Sequence, residues 1–380
     1  MQLKHFLPAA LVAGASAQSL TDVLAANNGS LSSLTSLLTA NPDLVGALSQ
    51  AQNITILAPS NDALAAFLNS TAGAAAATDA GAVAALLTYH VLNGTYPASA
   101  FTNSSQFLPT LLSNSSYTNV TGGQVVEARL RGETASIFTG LLSDSNVTVA
   151  NVNFTGGVVH VIDKVLTVPQ SASNTAGALN LTSLAGALTA ANLVGTVDGL
   201  SDVTIFAPSN DAFQAIGSAT ANLSVEALSS ILTYHVVQGT VGYSSILSNT
   251  TLTTVNGGNV TISIIDGAVY VNSARVVVPD VLIAGGVVHV IDSVLNPNNT
   301  SAAPPTSGAT TTTPAFPGAS SASDVPFTSG VPPASTTVTS TPSRNPDATS
   351  SSTAGAAPMQ TGIIGLGALF GGAAIVMGNM

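Results

Sequence analysis

The 380-residue chain has no cysteine and no tryptophan, and only 6% of its residues are charged. Each shortage excludes something. Without cysteine there is no thiol nucleophile, no thiolate metal site and no disulfide, so a folded domain must hold itself by core burial. Lys and Arg number 6 against 17 Asp and Glu, a formal net charge of −11, and no basic run occurs. That balance excludes a nucleic-acid surface, and acidity so thinly spread serves solubility rather than ligand steering. The glutamates are Glu127, Glu133 and Glu226, too few and too dispersed for the paired carboxylates of glycoside chemistry. No Gly-x-Ser-x-Gly elbow is present, and Gly156-Gly157 precedes a strand rather than a phosphate-cradling helix.

What is there is a duplication. Thr55-Ile56-Leu57-Ala58-Pro59-Ser60-Asn61-Asp62-Ala63 returns as Thr204-Ile205-Phe206-Ala207-Pro208-Ser209-Asn210-Asp211-Ala212. Leu87-Thr88-Tyr89-His90-Val91 returns as Leu232-Thr233-Tyr234-His235-Val236, and Gly156 to Asp163 returns as Gly285 to Asp292. Three blocks in one order make a tandem repeat, with domains expected over 18–168 and 175–296. Each is of a size that can bury its own core.

The two ends read as processing signals. Residues 1–17 carry Lys4, an apolar stretch and Ala15-Ser16-Ala17, the pattern of a secretory leader cut before Gln18. Residues 297–358 are dominated by Ser, Thr, Pro, Ala and Gly, the composition of a disordered, O-glycosylated stalk. The uncharged tail within 359–380 is short for a membrane span, and no basic cluster follows it. Small residues ahead of it fit a glycosylphosphatidylinositol (GPI) attachment signal, with Ser352 as the expected attachment residue. An extended stalk from 297 to Ser352 would reach roughly 170 Å at about 3.1 Å per residue. Asn-x-Ser/Thr sequons are dense: Asn28, Asn53, Asn69, Asn93, Asn103, Asn114, Asn119, Asn146, Asn153, Asn180, Asn222, Asn249, Asn259 and Asn299 are acceptor candidates. Several are expected to lie in buried strands and stay bare.

Within a repeat, leucines at helical spacing (Leu31, Leu34, Leu37, Leu38) come first, interrupted at Asn41-Pro42. A strand over 54–58 or 203–207 follows. Ser60 and Ser209 are expected helix N-caps, with Asp62 and Asp211 in the first turn and the adjacent Asn61 and Asn210 as buried turn amides. A helix ends at Tyr89 or Tyr234, and a half rich in Val, Ile and Thr closes the domain, giving an α+β class. Repeat one is longer between Tyr89-His90 and Gly156-Gly157, and the excess is expected around 101–121 as a sequon-rich loop.

These blocks resemble the conserved blocks of the fasciclin-domain family over nearly all of both repeats. The resemblance implies a β-wedge packed with several helices, and an extracellular adhesion or matrix role, often with a GPI anchor. The overall layout resembles that of fungal fasciclin-like cell-surface proteins. It also draws attention to the Tyr-His pairs Tyr89-His90 and Tyr234-His235. Pro279-Asp280-Val281-Leu282 is similar to a segment that animal members use towards integrins, although Asp280 reads more simply as a strand end. Arg131-Gly132-Glu133 departs from the integrin tripeptide at its Glu.

Histidine is the remaining candidate for chemistry. His90, His160, His235 and His289 all lie in the repeated blocks, and His160 and His289 sit inside apolar runs, where a satisfied neutral imidazole is the simplest reading. A metal would need Asp163 or Asp292 as additional ligands, and no His-x-x-x-His spacing supports one. No cofactor or metal is expected. The sequence therefore points to a non-enzymatic glycoprotein displayed outside the cell, on the membrane through a GPI anchor or in the wall. Its expected partners are wall or matrix polysaccharides, surface glycoproteins or its own kind. A structural wall mannoprotein and a carrier of a small apolar ligand are the alternatives.

Overall fold

The computed structural model describes residues 18–332, apart from Asn222, Thr300 and Thr310. The leader, Ser352 and the apolar tail lie outside the described residues.

Ser19 opens the first domain with a reciprocal capping box to Asp22, which starts α1 (Leu20–Ala26). In α2 (Asn28–Thr39), Leu31, Leu34 and Leu38 form the buried stripe, and Asn41 and Pro42 begin α3 (Pro42–Gln50) as N-cap and first residue. Then come β1 (Ile54–Pro59), α4 (Asn61–Leu68), α5 (Thr71–Ala76), α6 (Ala80–Tyr89) and β2 (Val91–Asn93). The β-rich half follows as β3 (Gln106–Pro109), β4 (Val125–Arg131), β5 (Thr134–Phe138), β6 (Asp144–Phe154) and β7 (Gly157–Ile162). The second domain repeats this with α7 (Ala172–Ala178), α8 (Thr182–Ala190), α9 (Val194–Asp198), β8 (Val203–Pro208), α10 (Asn210–Ala215), α11 (Gly217–Thr220) and α12 (Val225–Tyr234). Its remaining strands are β9 (Val236–Gln238), β10 (Thr250–Thr253), β11 (Asn259–Ile265), β12 (Ala268–Val271), β13 (Ala274–Ile283) and β14 (Gly286–Ile291). Its first helix starts at Ala172, ahead of the 175 expected, and Ala172 and Ala176 pack into its core.

Each domain has one seven-stranded sheet, in the orders β2-β1-β7-β6-β5-β4-β3 and β10-β11-β12-β13-β14-β8-β9. The two orders correspond strand for strand. The β1–β7 and β8–β14 pairs are parallel and the rest antiparallel. The parallel pair lies one strand in from the sheet edge and is covered on both faces, and every residue of β1 and β8 is buried. Alternation then divides the core. Ile54, Ile56 and Ala58 face the helices, while Leu57 faces the other side with Tyr89, Val126 and Ile162.

The Gly-Gly blocks have a steric origin. Gly157 and Gly286 have φ of 155° and 151°, and a Cβ there would lie 1.8 Å from the Ile54 carbonyl oxygen and 2.1 Å from that of Val203. Only glycine lets the parallel strands enter the sheet side by side.

The excess of repeat one falls partly where expected. Strand β3 occupies part of the 101–121 stretch. The added residues fall in the β3–β4 connection, 110–124 against 254–258 in repeat two, and in the β5–β6 connection, which contains the 3-10 turn Gly140–Leu142. Both connections reach the second domain. Beyond β14 the described residues to 332 form no helix or strand, yet they stay against the second domain, with Ala315 buried and Phe327 packed on its core.

Candidate functional site

The duplicated polar residues form two kinds of internal hub. In the first, His90 closes the C-terminus of α6: its Nδ1 lies 2.7 Å from the Leu86 carbonyl oxygen, and its Nε2 is 2.9 Å from the Leu166 backbone nitrogen. A carbonyl only accepts and a backbone N–H only donates, so Nδ1 carries the proton and the ring is neutral. His235 repeats the arrangement with Ile231 and Leu295, at 2.7 Å and 2.9 Å. Burial pushes both rings down to about 4, against which the carbonyl hydrogen bond is the smaller, opposing effect. The neighbouring Tyr89 and Tyr234 are buried and donate their hydroxyls to the Val125 and Asn259 carbonyls, at 2.9 Å and 2.6 Å.

The second hub uses the opposite tautomer. His160 Nε2 donates to the Tyr96 carbonyl at 2.8 Å, and its Nδ1 accepts the Asn151 N–H at 3.2 Å. His289 does the same with Gly242, at 2.7 Å, and Asp280, at 3.3 Å. Burial lowers the pKa of His160, with the Tyr96 hydrogen bond opposing. Asn151 and Asp280 are twins: φ is 61° and 60°, each lies at a register shift in its strand, and each side chain receives a backbone N–H, from Ala98 or Ser244, at 2.8 Å. Asp280 also accepts the Ser244 hydroxyl. Asp280 therefore does not end a strand; it sits in a β-bulge inside β13, where a short polar side chain tolerates the left-handed conformation.

The other repeated residues are equally committed. Asp163 receives the Asn146 backbone N–H at 2.7 Å, and Asp292 that of Arg275 at 2.9 Å. Ser60 and Ser209 cap α4 and α10 by accepting the Ala63 and Ala212 N–H groups, with Asp62 and Asp211 in the first turns. Asn61 and Asn210 are only half-buried, not buried turn amides. They clamp helix to helix: Asn61 accepts from Ser33 N–H at 2.9 Å and donates to the Gly29 carbonyl, and Asn210 accepts from Ser183 N–H at 3.0 Å and donates to the Asn180 carbonyl. Among the described residues no three His, Asp or Glu side chains converge as a metal site. The apolar cavities beside His90 and His235 measure about 30 Å³ and 20 Å³, room for one water and not for a carried ligand.

The same blocks that build these hubs carry the family pattern. The fasciclin domain matches residues 29–169 and, again, 179–297. The chain belongs to the fasciclin-domain family. A fasciclin-like arabinogalactan protein of Arthroderma benhamiae is 38% identical over 304 residues, covering 80% of this chain and 72% of that protein. The fasciclin-like arabinogalactan protein elcF of Phaeosphaeria nodorum is 32% identical over 282 residues, 74% of this chain and 89% of the relative. The cell surface glycolipoprotein MPB83 of Mycobacterium bovis is 40% identical over 135 residues, 34% of this chain and 60% of its own length.

The two fasciclin domains meet along a seam that the repeated motifs do not mark. Phe107 of β3 stacks on Tyr243 with ring centroids 4.1 Å apart, and Val125, Leu282 and Val287 complete an apolar cluster across the junction. Gln124 donates to the Ile283 carbonyl at 3.1 Å, Asn119 N–H to that of Ala284 at 2.7 Å, and Thr121 donates its N–H and hydroxyl to Asp202 at 2.7 Å and 2.6 Å. Leu141 and Leu142 lean on the second domain's core. The sequence signal for this seam was the excess length of repeat one.

The seam also corrects the adhesion segment. Val281 and Leu282 are each 1% exposed and the Asp280 carboxylate is bonded internally, so 279–282 is packed at the junction rather than displayed. Arg131-Gly132-Glu133 forms the β4–β5 turn, but Arg131 is drawn back onto Asp144 at 2.7 Å and over the Phe138 ring. The Tyr243 hydroxyl is buried with no hydrogen-bond partner among the described residues, and burial, then the charges of Asp280 and Asp202, push it well above the usual tyrosine range. Tyr243→Phe is therefore expected to leave stability unchanged or raise it by up to about 1 kcal/mol, read from the urea midpoint.

None of the described sequon asparagines is buried, contrary to the expectation of buried strand positions. Two nonetheless donate the amide nitrogen to which a glycan would attach. Asn146 donates its amide to Asp163 at 3.0 Å, and Asn299 donates to the Pro314 and Ala315 carbonyls at 3.1 Å and 2.9 Å. Glycopeptide mass spectrometry of secreted protein should find both bare, while the exposed Asn69, Asn103, Asn114 and Asn249 carry glycan.

Proposed function

We propose that this fasciclin pair is a non-enzymatic cell-surface glycoprotein acting through weak, multivalent contact. Its partners would be wall or matrix polysaccharides, surface glycoproteins or the same domains on a neighbouring cell. One observation carries the reading: the duplicated His, Asn and Tyr side chains and the pair Asp163 and Asp292 are engaged in internal hydrogen bonds, while the remaining duplicated acids, Asp62 and Asp211, stand apart in the first turns of α4 and α10. What remains for function is an outer surface studded with exposed sequons. The leader and the GPI signal at Ser352 would place that surface outside the cell. The names of the relatives, arabinogalactan protein and cell surface glycolipoprotein, support the same address. Many weak contacts held on one surface raise the effective concentration without a strong single site.

The test is to treat intact cells displaying the protein with a phosphatidylinositol-specific phospholipase C, and to score attachment to immobilised wall polysaccharide before and after. Release of the protein together with loss of attachment is the expected result. Release by glucanase but not by lipase, with no binding by deglycosylated domains, would replace this reading with the structural mannoprotein. Turnover or a copurified small molecule would overturn it.

A further inference from the structure

The composition of 297–332 is that of a stalk, yet part of it is held residue by residue on the helical face of the second domain. Gln214 donates its side-chain amide to the Ala322 and Ser323 carbonyls at 3.3 Å and 3.2 Å, and its own carbonyl receives Ala322 N–H at 2.9 Å. Ser218 N–H bonds the Ser320 carbonyl at 3.0 Å, and the Ser218 hydroxyl receives Ser320 N–H at 2.8 Å. The Ser183 hydroxyl, fully buried, donates to the Pro326 carbonyl at 2.8 Å. The Phe327 ring meets Phe213 edge-on at 6.0 Å.

The floor of this groove is cut by two glycines. A Cβ on Gly186 of α8 would lie 1.6 Å from the Phe327 carbonyl oxygen, and one on Gly217 of α11 would lie 2.2 Å from the Ala322 Cβ. The asparagine clamps align the repeats here: Ser33 pairs with Asn61 as Ser183 pairs with Asn210. Counting from them, Ser36 stands where Gly186 does and Leu68 where Gly217 does, and Leu68 is half-exposed. The first domain has the same helices but not the room. Glycine inside α8 costs helix stability relative to alanine, and the docked segment supplies the reason for accepting that cost.

We propose that the α8–α10–α11 face of the second domain is a peptide-binding groove whose ligand is the chain's own segment 320–328. The groove recognises an irregular segment, bent at 323–324 and turned at 326–327, by hydrogen bonds to its backbone, with a small residue at 322 and an aromatic residue at 327. The tether to the cell surface then starts beyond residue 328 and not at 297. This last consequence rests on the anchoring proposed above, whereas the docking does not. Tension on the C-terminus would peel the segment off before it reaches either sheet.

The deciding experiment is Gly186→Ala in the full secreted chain, followed by hydrogen exchange of peptides spanning 314–332 and by thermal unfolding. A docked segment predicts exchange at Ala322 at least tenfold faster and a lower Tm. If the segment does not dock, alanine improves α8, so an unchanged exchange pattern with a higher Tm overturns the proposal. Phe327→Ala provides a second route that leaves α8 intact. It should speed exchange in the same peptides, and a synthetic 318–330 peptide added in excess should restore protection over α8 and α10. Failure of both effects would also overturn it. Neither readout depends on the anchor, so a failed phospholipase experiment leaves this test standing.

Discussion

Gly157→Ala is expected to unfold the first domain, and Gly286→Ala the second, with a loss of at least about 4 kcal/mol in each case. The residues have φ of 155° and 151°, a region that costs an L-residue roughly 1–3 kcal/mol by itself. The larger part is steric. The new methyl group would sit 1.8 Å or 2.1 Å from a backbone carbonyl oxygen of β1 or β8, and a backbone atom cannot step aside as a side chain can. Relief requires the parallel pair to separate, and that pair carries both halves of the core. Hydrogen exchange resolved by domain checks the prediction. At an unstrained site the same substitution would stabilise by about 0.4–1 kcal/mol, so the sign alone is informative.

Acid should be the second large perturbation, in a window set by histidine. His90 and His235 are held at about 4, below the ordinary value of 6.5. Above pH 6.5 these rings are neutral folded and unfolded, and their stabilising effect is complete. As pH falls through 6.5 the unfolded rings gain protons that the folded rings refuse, so stability declines, levelling only below about 4. The linkage amounts to about 2 kcal/mol per ring at pH 5 and roughly 3 kcal/mol by pH 4. His160, also lowered, adds in the same direction. Asp144, whose burial is outweighed by Lys164 and Arg131 so that its pKa falls, loses its contribution only at lower pH, below the ordinary carboxylate value. Urea midpoints at half-unit intervals from pH 7.5 to 3.5 should fall steeply between 6.5 and 4. His90→Gln should lower stability at neutral pH and flatten the slope for the first domain. A midpoint independent of pH from 6.5 to 5 would contradict the buried neutral tautomers.

Much of the fold was legible because local signals and tertiary demand agree. The Ser60 and Ser209 caps, the leucine stripe of α2 and the apolar runs of β1 and β7 each have a short-range cause. The histidine runs pointed to burial but not to the tautomers, because the partners of His160 lie at Tyr96 and Asn151 on other elements. Asp280 was misread because a β-bulge interrupts neither apolar pattern nor strand, and only its positive φ betrays it. The seam showed in the sequence only as the extra length of repeat one, and the docked segment not at all. Phe107 and Tyr243, or Gly186 and Phe327, are joined by tertiary contact alone, and neither member of a pair stands out in its local sequence.

The two loops that make the seam exist only in repeat one. The second domain keeps all seven strands but closes the β10–β11 connection in residues 254–258 and joins β12 to β13 through residues 272–273, so among the described residues it carries neither loop. The pair is thus polar: one unit supplies both reaching loops, and the other supplies only the surface that receives them.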